Sequence, residues 1–186
     1  MARFSTKKYI FVNQSFNQYG KKRKAAISPT ALSEKMNDVI NNAMYQYKEV
    51  KDCVYVLSLD NHVEIVEALT AFCKEKEIQT GSISGLGAIS EATFRFLDPA
   101  TKQYVDKTFN EQMEITNLTG NISQKDGKPY LHIHITASRR DYSCIGGHLL
   151  SARINGACEL FVEDYWDCKP VGRQFDEETG LNLYAF

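Results

Sequence analysis

Tyr130-Leu-His-Ile-His-Ile-Thr-Ala137 is the stretch whose reading decides the fold. Residues i and i+2 of a strand point to the same side, so Leu131, Ile133 and Ile135 share one face while His132 and His134 share the other. The aliphatic face is the one a core claims. Both imidazoles are therefore expected to point away from it, side by side. Upstream, Lys125-Asp-Gly-Lys128 is a hairpin signal through its Asp-Gly pair, which predicts that a strand over Met113 to Ile122 feeds directly into the histidine strand.

Downstream, Gly146-Gly-His148 brings a third of the chain's four histidines into a separate strand segment, Ser143 to Leu150. The two glycines allow a close backbone approach or a positive φ, as a bulge or sharp turn requires. Three nitrogen ligands can then converge. Neutral imidazole suits zinc, with iron, nickel and copper as other candidates, and a three-histidine set leaves a coordination position for water or substrate. His132, His134 and His148 are thus the expected metal ligands.

Moving outward, Val54-Tyr-Val-Leu-Ser-Leu59 reads as a buried strand. Asp60 and Asn61 follow as expected helix caps, with Glu64 in the first turn. A helix is predicted from about His62 to Lys76, with Ile65, Val66, Leu69, Phe72 and Cys73 forming one apolar stripe at the 3.6-residue period. His62 is expected to face solvent. Gly81-Ser-Ile-Ser-Gly-Leu-Gly87 follows this helix rather than opening one and lacks the dinucleotide and P-loop spacings, so it reads as a bulged strand. Further strands are expected over Ala92–Leu97, 103–109 and Gly156–Glu163, with Arg139-Arg-Asp141 as a loop. The fold class is α+β: a mainly antiparallel β-sheet with one principal helix packed on it.

The ends of the chain read differently. Residues 1–45 are basic and rich in Asn, Gln and Ser, include Lys21-Lys-Arg-Lys24, and are expected to form a disordered or loosely helical arm. Thr30 to Tyr47 offers a short helix through Leu32, Met36, Ile40 and Met44; Met36 and Met44 are candidates for the true translation start, beside Met1. The folded domain is expected over 46–168, and 169–186 reads as a C-terminal tail.

The formal charge of −1 conceals an asymmetry. Residues 1–50 carry nine Lys and Arg against three Asp and Glu, and the remainder thirteen against twenty, which leaves the body at −7. Such a body repels a polyanion on average, so a DNA contact would fall to the basic arm. Five cysteines, an odd number without a C-x-x-C pair, indicate a reducing, cytoplasmic compartment. No apolar run is long enough for a membrane span, and no membrane partner is expected.

Four ordered blocks resemble the plants-and-prokaryotes-conserved (PPC) domain: Ser82-Ile-Ser-Gly-Leu-Gly-Ala-Ile-Ser90, Met113-Glu-Ile-Thr-Asn-Leu-Thr-Gly-Asn-Ile122, Asp126-Gly-Lys-Pro-Tyr-Leu-His-Ile-His134, and Gly146-Gly-His-Leu149 followed by Glu159. The resemblance spans roughly residues 52–164. It implies a PPC-like antiparallel sheet with one helix, a homotrimer, and a metal held at His132, His134 and His148. In plant members an AT-hook precedes the domain and makes the DNA contact. The Arg-Gly-Arg-Pro core of such a hook is absent here; Lys21-Lys-Arg-Lys24 supplies charge without the glycine and proline.

Two functions follow as expectations. One is a homotrimeric metal-binding module, with DNA-binding or regulatory use through the basic arm. The other is a metal-dependent enzyme on a small molecule, with Glu114 and Glu159 as candidate bases or partners of the ligand imidazoles. Arg139 and Arg140, between the two histidine segments, are candidates for steering an anionic ligand to the metal.

Overall fold

The apolar runs Val54–Leu59 and Gly156–Glu163 lie side by side as paired strands, and the strands around them follow from pairing. The computed structural model describes residues 44–186. The strands are β1 (Tyr45–Lys51), β2 (Val54–Leu59), β3 (Gly81–Asp98), β4 (Gln103–Phe109), β5 (Met113–Lys125), β6 (Lys128–Ser138), β7 (Cys144–Asp164), β8 (Gly172–Asp176) and β9 (Leu181–Ala185), with the helix α1 (Ile65–Glu75) between β2 and β3. All belong to one sheet of order β1-β2-β7-β3-β5-β8-β9, with β4 paired to β3, and β6 paired to both β5 and β7. The pairing is antiparallel except between β5 and β8.

Strand β7 changes partners along its length. Cys144 to His148 pair with β6, while Glu159 to Glu163 pair with β2, and β3 runs along most of β7 on its other edge. Strands β3, β5, β6 and β7 thereby close a ring of pairings, and His148 sits where that ring closes.

Helix α1 packs against β6 and β7. Its stripe of Ile65, Ala68, Leu69, Phe72 and Cys73 is buried and meets Leu57, Ile83, Ile133, Ile135, Leu160 and Val162 in one core. Phe72 lies edge-on to the rings of Tyr45, Tyr47 and Tyr55, at centroid distances of 5.5, 5.3 and 5.3 Å.

The helix start differs from expectation. Glu64, not Asp60 or Asn61, is the N-cap: its carboxylate accepts from the backbone N–H groups of Val66 and Glu67 at 3.0 and 2.7 Å, and from Ala152 of β7 at 2.9 Å. The third bond is tertiary, and it ties the helix entrance to the sheet. Asn61 instead accepts from the N–H of His62 and Gly156.

Two further segments depart from the sequence reading. Tyr45 to Tyr47, placed at the end of a short helix, are strand residues of β1 paired with Leu57 to Leu59; the part of that helix and of the basic arm before residue 44 falls outside the described residues. The segment read as a tail contains the β8–β9 hairpin, docked on β5 at Gln124. The Gly81–Gly87 segment is a bulged strand as expected, its register with β5 shifting between Gly85 and Gly87. All five cysteines are free. Among the described residues no helix is long and apolar enough to cross a membrane.

Candidate metal centre

The β5–β6 turn sets the position of the first two imidazoles. Asp126 and Gly127 both take positive φ, 51° and 72°, as a tight hairpin turn of the favoured twist requires. The register started there, Lys125 opposite Lys128, places His132 opposite Asn121 and His134 opposite Thr119. Ile133 and Ile135, each 2% exposed, turn into the core, and the histidines turn out.

The third imidazole arrives through a close approach of backbones. His148 lies directly opposite His134 in the β6–β7 pair, and Gly146 makes that pairing possible. A Cβ at Gly146 would stand 2.3 Å from the carbonyl oxygen of Ile135, so any side chain there would force the strands apart. On its other edge His148 is opposite Arg95 of β3, which is in turn opposite Asp106 of β4. One cross-strand row thus runs Asp106, Arg95, His148, His134, Thr119. Directly opposite residues share a face.

The three rings converge. Their centroids are 5.1, 5.1 and 5.4 Å apart, and one ligand nitrogen from each lies within 4.8 Å of the others. His132 Nε2 and His134 Nε2 are 3.2 Å apart. Two nitrogens on a tetrahedral zinc at about 2.0–2.1 Å stand roughly 3.3 Å from each other. The donor set therefore fits a metal ion in both chemistry and spacing. Burial, reinforced by the neighbouring imidazoles and Arg95, lowers the pKa of His148 to about 4. Burial, then His134 and Arg173, lowers that of His132 as well. Both rings are consequently neutral at physiological pH, the state in which imidazole ligates.

The histidines form part of the wall of a cavity of about 730 Å³. Its remaining wall comes from Tyr130 of β6, Ile145 to Gly147 of β7, and from β3, β4 and the β8–β9 hairpin; among the described residues its charged side chains are Arg95, Lys107 and Arg173, with no Asp or Glu. Arg95 makes a two-pronged ion pair with Asp106, at 2.8 and 2.7 Å, and stacks over Tyr104. Arg173 donates to the Ser123 hydroxyl at 2.7 Å, the Asn121 side-chain carbonyl at 2.9 Å and the Asn182 backbone carbonyl at 2.9 Å, between the rings of Tyr130 and Tyr184.

The other residues singled out in the sequence lie elsewhere. Glu114 is exposed at the start of β5, opposite Ser138, and Glu159 is exposed in the half of β7 that pairs with Ser58. Arg139 stacks on Phe109 and pairs with Glu111 at 3.0 Å, while Arg140 is exposed in the β6–β7 turn. None of the four lines the cavity. The cations that do, Arg95, Lys107 and Arg173, were not singled out. A signal for Arg173 was present: two alternating runs, Gly172–Asp176 and Leu181–Ala185, flank Glu177-Glu-Thr-Gly180, a hairpin in which Gly180 takes φ 75°.

Comparison with known families gives a match over residues 47–166 to the Plants and Prokaryotes Conserved (PCC) domain. The chain belongs to this family. Among solved structures, a candidate DNA-binding protein from Bacteroides thetaiotaomicron is 57% identical, with a TM-score of 0.74 over 77% of this chain and 98% of its own. A metal-containing protein from Archaeoglobus fulgidus is 37% identical, with a TM-score of 0.68 over 76% of this chain and 98% of its own. A PPC protein from Pyrococcus horikoshii, 23% identical at a TM-score of 0.68 over 79% and 98%, shares the fold. No curated protein sequence matches the chain.

Proposed function

We propose that this PPC protein is a metal-binding module, in which His132, His134 and His148 hold a divalent metal, zinc in the first instance, at the wall of a ligand cavity. The convergence of three imidazoles carries the reading, and the Archaeoglobus relative, described as metal-containing, supports it. Such an ion would supply a Lewis-acid position facing the cavity. The protein's own contribution is to hold the ligand nitrogens in register and, at His132 and His148, to disfavour the protonated form. Among the described residues no carboxylate lines the cavity to serve as a general base, which favours binding over hydrolytic chemistry.

The same proposal includes a homotrimer in the cytoplasm. Large apolar side chains left open on the single chain away from the cavity, among them Leu86 and Phe161 at 55% and 54% exposure, support assembly. Any DNA contact is assigned to the basic segment 1–45, because the body carries −7. Relatives described as candidate DNA-binding proteins support testing it.

The deciding experiment is elemental analysis of the purified protein beside His132→Ala and His134→Ala. One metal per chain in the wild type and none in the variants, with the sedimentation mass of three chains retained, is the expected result. A wild type that takes up no metal overturns the reading. For DNA, affinity that falls steeply with salt and vanishes when residues 1–45 are deleted is expected; no binding at low salt removes that role.

A further inference from the structure

The charges around the cavity do not balance. Arg95 is neutralised by Asp106 in a two-pronged pair. Among the described residues Arg173 has no such partner: its three hydrogen bonds go to a hydroxyl, an amide carbonyl and a backbone carbonyl, all uncharged. A guanidinium carries five N–H donors, so two remain after these three bonds. Lys107 has no carboxylate within ion-pair distance among the described residues either, but it is exposed on β4, where water solvates its ammonium, so the unbalanced charge is that of Arg173. A metal on neutral imidazoles would add further positive charge. Uncompensated charge at an apolar, partly enclosed site is unfavourable unless an anion joins it.

The position of Arg173 is built rather than incidental. Ser123, one of its three partners, is fully buried, and the Tyr130 and Tyr184 rings hold the guanidinium at 4.8 and 4.3 Å. It also bonds Asn121, the cross-strand partner of the ligand His132. The fixed charge therefore sits beside the metal ligands. The remaining wall is apolar, with Phe96, Leu97, Val105, Ile145 and Leu183, and a volume of about 730 Å³ suits a small organic molecule.

We propose that the cavity binds a small organic carboxylate with an apolar body, and that Arg173 supplies the fixed charge that selects the acid over its neutral amide. This assigns a ligand class to the metal centre proposed above and rests on that reading for the ion. The carboxylate end lies toward Arg173 and the histidines, and the apolar body lies along the β3, β4 and β9 side chains.

The test is calorimetric titration of the full-length protein, zinc-loaded and metal-free, with phenylacetate and phenylacetamide. Phenylacetate is expected to bind at least roughly ten-fold tighter than the amide, a charge-assisted contact being about twice as strong as a neutral one. In the metal-free protein, where no metal ion favours the acid, Arg173→Met is expected to bring the two affinities together, with metal uptake on reloading unchanged, and Lys107→Met to preserve the preference. Equal binding of acid and amide by the metal-free wild type, or a preference that survives in metal-free Arg173→Met, overturns the assignment. Arg173→Met also strips a partner from buried Ser123. If it does not fold, the wild-type ratio and Lys107→Met decide alone, since loss of the preference in Lys107→Met removes the role given to Arg173. Elemental analysis of the same samples separates the two readings: selectivity without stoichiometric metal overturns the metal centre only, and metal without selectivity overturns the carboxylate site only.

Discussion

Along β7, the half that faces α1 and the half that carries His148 differ in what holds each side chain. In the first, Ile154, Cys158, Leu160 and Val162 are sealed from water by the helix stripe, and their positions follow from apolar area alone. In the second, His148 is half-buried, and its position follows from strand register, a glycine contact and a row of polar neighbours. Area is tolerant of small shifts. Register is not, because a one-residue slip would turn the imidazole to the opposite face.

Substitutions can break this contrast in a graded way. The largest effect is expected at the ligands themselves: His148→Ala abolishes stoichiometric metal uptake while leaving the metal-free melting temperature nearly unchanged. Acid reports the same site in the wild type. Since burial holds His148 near 4, a proton displaces the metal only well below the ordinary imidazole value of 6.5. Zinc release followed with a chromophoric indicator should therefore be centred below pH 6; release at or above 6.5 would show that burial does not hold His148 neutral.

Next comes the helix side. Phe72→Ala removes a fully buried ring and its three aromatic neighbours' contacts, and should cost about 3–5 kcal/mol in denaturant unfolding. The folded fraction should still bind metal. Gly146→Ala probes the register side at smaller cost, about 1–3 kcal/mol, but should weaken metal affinity roughly ten-fold as β7 is pushed from β6. An unchanged affinity would mean that the close approach does not position His148.

The smallest effect belongs to Asp164, at the far end of β7, whose pKa burial and Asp167 raise to about 6. Between its ordinary 3.8 and about 6 the folded chain binds more protons than the unfolded one, so stability contributed by this group declines as pH rises through 6. Asp164→Asn should raise the melting temperature by about 2 °C at pH 7 and by less at pH 5. The opposite ordering would exclude burial as the cause.

What the sequence disclosed follows the same division. The alternation in Tyr130–Ala137 and the stripe on α1 are local periodicities, and both the core and the outward turn of the histidines could be read from them. Tertiary terms were invisible. Glu64 displaces Asp60 and Asn61 as the cap because it also bonds Ala152, 88 residues away. Tyr45 to Tyr47 join a strand because β2 offers an open edge. Glu114, Glu159, Arg139 and Arg140 were chosen by nearness in sequence or by charge, whereas the cavity draws its cations from β3, β4 and β8 through pairing that no short window reveals. Residues 169–186 lacked a strong apolar run, so the hairpin that delivers Arg173 read as a tail.

The unbroken course of β7 has one more consequence. A single strand hydrogen-bonded in turn to β6, β3 and β2 cannot open at one end without loading the other, so the histidine row and the helix-covered core belong to one cooperative unit. An ion gripped between β6 and β7 would then act as a cross-brace for the whole sheet, and its occupancy would be felt as slower fluctuation beneath α1, on the far side of the molecule's hydrogen-bond network.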